Sequence, residues 1–218
     1  MTVPGRVDAA ALLLSLDPKP WARRHARAVA EVAGWLALRI EANGIAVDRR
    51  LVEAAALLHD VDKVLPAGDP ARALPHGDGS ADWLTRQGHP ELARAVANHP
   101  VTRLADAERF RRWSAFASRE ERIVAYADKR AGQHLESMED RFASWRRRFP
   151  LTPESGRVAH GAKAAWSEAT IGSVWAAAER LEADVCRAAN VTPTGVRRLA
   201  WTGTALAGAR TRATDTRP

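Results

Sequence analysis

The sequence predicts an all-α protein, and three observations carry that prediction. Good helix formers such as Ala, Leu, Arg and Glu are abundant. Aromatic residues make up only 6% of the 218 positions, with a single Tyr, and residues that favour strands are scarce. Apolar residues recur at helical spacing in several segments, while no segment alternates with a period of two.

Taken in order, residues 20–43 read as a long amphipathic helix, opened by Pro20 and stopped by Gly44. Residues 48–60 read as a second helix, with Asp48 as N-cap and Leu51, Ala54, Ala55 and Leu58 at core spacing. A loop rich in Pro, Gly and Asp follows, then two short helices over 80–86 and 90–97 and a polar connection. Ser118 and Glu121 form a capping-box pattern that starts another helix. Residues 137–148 continue as a helix closed by Pro150, and 159–189 as one more, ended by Pro193. The count is about seven helices in a domain over residues 1–190. Residues 191–218 form a basic tail, aperiodic beyond Trp201 and expected to be disordered.

Hydrophobic residues at 46% and charged residues at 27% describe a globular chain long enough to bury a core. Cys186 is the only cysteine, which excludes an intrachain disulfide and a thiolate zinc site. The first 16 residues hold a short apolar stretch without a basic flank, and no later segment offers 18 apolar residues free of charge. The expectation is a cytoplasmic protein with no membrane partner. Four of the seven excess positive charges fall in the tail, from Arg197, Arg198, Arg210, Arg212 and Arg217 against Asp215. The rest of the chain is near balance, which argues against a dedicated nucleic-acid surface.

The chemistry centres on His59-Asp60, which ends the apolar helix AAALLHD just before a turn-rich loop, where ligands can leave the core and meet solvent. Neutral imidazole and carboxylate suit a divalent ion such as Fe, Mn, Co or Zn, with Mg as a further option. His25 shares a helix face with Val29, Val32 and Leu36. Asp128, in IVAYADKRA, shares one with Val124 and Ala131. An unpartnered carboxylate on an apolar face is costly, and a metal ion would satisfy both residues.

This set, His25, then His59-Asp60, then Asp128, on separate helices and in this order, resembles the H…HD…D signature of the HD phosphohydrolase superfamily. AALLHDVDK resembles that family's AALLHDIGK, and IVAYADKRA its last ligand helix. The resemblance spans roughly residues 20–150 and implies an HD-style helical bundle with a central metal site. His76 in PHGDG and His99 in ARAVANHP resemble, in order and spacing, the subset with six ligands and two ions. That subset includes diadenosine tetraphosphate hydrolases and cyclic dinucleotide phosphodiesterases. By this resemblance Asp60 bridges the ions, His25, His59 and Asp128 complete one site, and His76 and His99 the other. The Gly-Tyr-Pro motif of the cyclic dinucleotide branch is missing.

Lys63 matches a family lysine at the site, where it either holds a phosphate or pairs with a ligand carboxylate. Lys129 and Arg130 flank Asp128 and are candidate phosphate contacts, an exposed helix face being the competing reading. Asp62 stands where many members have Gly, adding negative charge near the mouth, with an effect on substrate choice or an outer-sphere contact. His89, His134 and His160 are assigned to solvent or a cap. The expected reaction is hydrolysis of a phosphoester or phosphoanhydride in a small nucleotide-like substrate by a metal-bound hydroxide, with Asp60 and Lys63 at the chemistry. The rivals are a regulatory domain that binds metal and nucleotide without turnover, and a nucleic-acid module using the basic tail.

Overall fold

The computed structural model describes residues 3–148 and 166–215. Among the described residues there are eleven α-helices and no strand. They are α1 (Arg6–Ser15), α2 (Pro20–Ala42), α3 (Arg49–Leu58), α4 (Asp78–Arg86), α5 (Pro90–Ala97), α6 (Thr102–Ala105), α7 (Ala107–Phe116), α8 (Arg119–Arg130), α9 (Met138–Arg148), α10 (Glu168–Ala189) and α11 (Thr202–Asp215).

The centre is α2. It buries Ala26, Val29, Ala30, Ala33, Leu36, Ala37 and Ile40, an alanine-rich face that lets α3 and α8 approach closely. A fully buried Leu36 or Ile40 contributes about 2 kcal/mol through lost contact with water. Against this trio, α5 packs on α3 and α8, α4 lies on α5, and α10 crosses α2 and α8. Local signals agree with these elements. Pro20 is at the start of α2, and Gly44 follows its end with φ of 78°. Asp48 caps α3 by accepting from Leu51 N at 3.0 Å. Ser118 and Glu121 close the capping box of α8.

The helix count exceeds the expected seven for physical reasons. α7 lies in the stretch read as a polar connection: Asp106 caps it, yet none of its residues is fully buried, so no apolar stripe marks it. Disorder beyond Trp201 is also corrected, because residues 202–215 form α11, which lies along α1. Its buried residues include Ala205, Leu206 and Ala209, a single large side chain among alanines, which leaves little hydrophobic periodicity to read. The return of the chain is pinned to α2, where Leu199 N donates to Glu31 O at 3.0 Å and the Thr202 hydroxyl donates to the Glu31 carboxylate. Arg212 of the basic tail reaches Asp8 at 2.8 Å. The expected helix over 159–189 is seen from Glu168, with Ser167 as its cap. Pro150, His160 and Arg217 lie outside the described residues.

Candidate metal centre

Five segments each bring one or two polar side chains to one end of the α2–α3–α8 trio. His25 projects from α2 and Asp128 from α8. His59 stands at the C-cap of α3, and Asp60 begins the tight 3-10 turn Val61–Lys63, so the pair sits where helix gives way to turn. His76 lies in the turn before α4 and His99 just past the end of α5. Gly77 joins those two segments: its φ is 88°, and a Cβ there would come within 2.8 Å of Ala97 O.

All six side chains sequence reasoning singled out as ligands come together. Asp60 is the hub. Its Oδ2 lies 3.3 Å from His25 Nε2 and 3.6 Å from His59 Nε2, and its Oδ1 lies 3.3 Å from both His76 Nε2 and His99 Nε2. Asp128 Oδ1 stands 3.3 Å from His25 Nε2 and 3.7 Å from His59 Nε2. His59 and His99 are fully buried, and Asp60 and Asp128 nearly so.

The outer ring nitrogens are as ordered as the inner ones. His25 Nδ1 lies 2.6 Å from Gly132 O, His59 Nδ1 2.7 Å from Ala56 O, and His99 Nδ1 2.5 Å from Val96 O. His76 Nδ1 lies 2.9 Å from Asp62 Oδ2. A carbonyl or carboxylate can only accept, so each Nδ1 carries a proton, and a ring in its neutral form turns its Nε2 lone pair inward. Two such nitrogens, of His25 and His59, face each other at 3.1 Å. Lone pairs aimed at lone pairs and at two carboxylates repel unless a cation stands among them. The donor set therefore fits divalent metal, with imidazole and carboxylate oxygen at the inner positions and hydrogen-bond acceptors behind the imidazoles. Overlapping trios, His25–His59–Asp128, His59–Asp60–His99 and Asp60–Asp62–His76, each offer ligand atoms within 4.8 Å of one another.

The electrostatics follow from this geometry. Burial alone would push the His25 imidazolium down, but its hydrogen bonds to Asp128 and Asp60 outweigh burial and raise it to about 9. A proton on His25 thus does part of a cation's work in the metal-free protein. Burial also opposes ionisation of Asp60, yet His59, the Lys63 ammonium and the hydrogen bonds from His25 and His99 hold its carboxyl well below the usual carboxylate range. Asp128 is likewise held low against burial by its hydrogen bonds to His25 and His59. His99 is pushed down to about 3, by burial first and then by the neighbouring imidazoles, against the pull of Asp60. A neutral, fully buried His99 is the form that ligates metal.

The centre opens into a pocket of about 630 Å³. Lys63 stands in its wall with Nζ 2.7 Å from Asp60 Oδ2, paired with that carboxylate while still facing the pocket. Away from the ligands the pocket is walled by Trp21, Gln133, Arg141 and Trp145, which sequence reasoning did not single out as site residues. Trp21 carried a readable signal, since it precedes His25 by four residues on one helix face. Arg141 carried none, because nothing in the sequence ties α9 to Asp128. Its guanidinium lies over the Trp145 ring, and its Nε is buried with no hydrogen-bond partner. His134, assigned to solvent, is indeed largely exposed but lies at the pocket rim.

Lys129 and Arg130 are not brought to the pocket. Lys129 is fully buried and donates to His99 O at 2.6 Å and Ala125 O at 3.1 Å, and burial lowers its ammonium to about 8 against the pull of Asp128. Arg130 is spent on Tyr126 Oη at 2.6 Å, Glu136 O at 2.9 Å and Glu182 at 3.2 Å. Side chains flanking Asp128 on a helix buried all round must point into the protein, so neither meets a substrate phosphate. Asp62 is also turned inward, onto His76 and Gly77 N, rather than out to the mouth.

The model of the HD-domain family matches residues 23–132, half of the chain, and that stretch holds all six converging residues. No curated protein and no solved structure matches.

Proposed function

The chain belongs to the HD-domain family, and on that premise we propose that it is a metal-dependent hydrolase of a phosphoester or phosphoanhydride bond in a nucleotide-like substrate. The observation that carries this reading is the orientation of four imidazoles, each backed at Nδ1 and turning Nε2 to Asp60, two of them to Asp128 as well.

In this reading His25, His59, Asp60 and Asp128 hold one ion, and Asp60, His76 and His99 hold a second. Such ions supply Lewis-acid charge at phosphorus and lower the pKa of a water that they bind. The protein's own groups do the rest. Asp60 offers one oxygen to each set of histidines and so fixes the two sets to a common origin. Lys63 presents its ammonium in the pocket wall as a point charge for a phosphate oxygen. Trp21 and Trp145 give the pocket flat apolar walls, and Arg141 a cation, for the part of the substrate that does not react. The volume suits a ligand of nucleotide size.

The test is turnover of nucleoside monophosphates and dinucleoside polyphosphates by chelator-stripped protein resupplied with Mn, Fe, Co or Mg. Release of phosphate or nucleotide should require added metal and vanish in Asp60→Ala. Metal-loaded protein that turns over none of these compounds would favour a binding domain without catalysis.

A further inference from the structure

The geometry points to Asp62 as a positioning residue that aims His76 at the second ion, an inference that rests on the two-ion reading above. His76 is the weakly supported member of the set. Its side chain is 32% exposed, against 12% or less for the other three histidines. It also sits in a turn, whereas His25, His59 and His99 rest their Nδ1 on main-chain carbonyls. Asp62 stands in for the carbonyl that His76 lacks.

Its Oδ2 accepts from His76 Nδ1 at 2.9 Å and from Gly77 N at 2.8 Å, and its Oδ1 lies 3.1 Å from the same Nδ1. One carboxylate therefore fixes the ring and the backbone just behind it. Asp62 is itself braced. Its N–H donates to Ser80 Oγ at 3.2 Å, and Ser80 is fully buried. The first turn of α4 closes on it through Gly79, where a Cβ would meet Asp62 Cβ at 3.0 Å and Ala71 O at 2.4 Å. A carboxylate that accepts from Nδ1 locks the tautomer, orients the ring and makes Nε2 a stronger donor to metal. The glycine of the resembling word HDIGK has no side chain to do this.

Asp62 could instead be a ligand in its own right. Against that, its Oδ2 already takes two donors and its Oδ1 leans on the same imidazole nitrogen, so it would have to release His76 in order to coordinate. It aims a ligand rather than being one.

The experiment titrates Mn²⁺ into chelator-stripped full-length wild type, Asp62→Gly, Asp62→Asn and His76→Ala, with bound ions counted by elemental analysis. Wild type should take two ions. Asp62→Gly should keep the first ion at unchanged affinity and bind the second about 10–100-fold more weakly. Asp62→Asn should lose less than tenfold, because an amide oxygen can still accept from Nδ1 and Gly77 N. Nitrogen NMR of the zinc-loaded proteins gives a second readout. The His76 ring should carry its proton on Nδ1 in wild type and Asp62→Asn. Should Asp62→Gly fail to fold, that signal decides, and its absence from wild type overturns the proposal. So does wild-type binding of both ions by Asp62→Gly, or an Asp62→Asn that falls to the level of His76→Ala. Wild type binding one ion overturns this inference and the second-ion assignment but leaves the first site standing, whereas binding none removes the metal-centre reading itself.

Discussion

Of the regions that bury carboxylates, two handle the charge in opposite ways. On the flank of α1, Glu53 accepts from Arg6 at 2.6 and 2.7 Å, with Arg49 at 3.9 Å, and Glu31 accepts from Thr202 with Arg198 at 3.6 Å. These acids are closed, because the chain supplies their counter-charge. At the other region, Asp60 and Asp128 face histidine nitrogens and one lysine. Those imidazoles present ring nitrogens rather than fixed cations, and the proton that His25 holds between the two carboxylates can give way to an ion from outside. The contrast separates a structural ion pair from a binding site when both are equally buried. The question is whether the partner is a fixed cation or a set of lone pairs.

The sharpest way to break the comparison is Asp60→Ala. If the centre is open, the change gives up the Lys63 pair but leaves the apolar core intact, so the metal-free protein stays folded. Activity should fall about 10³-fold or more, since a metal supplies several kcal/mol of transition-state charge stabilisation. The rise in Tm on adding Mn²⁺, worth about 4 kcal/mol at a thousand times Kd, should vanish. Full turnover by a metal-analysed Asp60→Ala protein would end the phosphohydrolase reading. His99→Ala divides the centre more finely. It should lower bound metal from two ions towards one and depress turnover by about 10–100-fold. His89→Ala, near α5 but paired with Glu91 rather than Asp60, should change neither quantity.

On the closed side the effect moves from function to stability. Glu53→Ala should cost about 1–2 kcal/mol in urea denaturation while leaving metal stoichiometry unchanged. Arg6 is 43% exposed and recovers much of its solvation, so the full penalty of a broken buried pair does not apply. Lys129→Met is the smallest of these tests. It strips a donor from His99 O and should cost about 1 kcal/mol in stability, with KM for substrate unmoved. A large rise in KM with stability intact would return Lys129 to the substrate pocket.

The residues that converge at the centre were legible in the sequence because each broke a local rule. His25 and Asp128 lay on apolar faces where a polar group needs a reason, and His59-Asp60 ended an apolar helix at a turn. His76 and His99 had weaker signals, since adjoining Pro and Gly made them look superficial. The structure buries His99 all the same, because the turn after α5 packs closely on Gly77 and is clamped by Lys129. What sequence could not supply was direction. Lys129, Arg130 and Asp62 are charged residues beside ligands, and linear proximity says nothing about which way a side chain points. α11 was missed for the reverse reason: burial there is achieved mostly with alanine methyl groups, which leave almost no hydropathy pattern.

The wide separation of the ligands along the chain, from residue 25 to residue 128, also sets the order of events in the protein's biogenesis. An ion meeting the newly made polypeptide finds at most the adjacent His59-Asp60 pair, and gathering the rest means closing a loop of about 100 residues. The metal therefore cannot direct assembly as it does in a zinc finger, where folding waits for the ion. Here the bundle is finished first, on the strength of its apolar interior, and loading comes last. On the proposed metal-centre reading, chelators should strip the protein to an intact apoprotein that reloads when metal is returned.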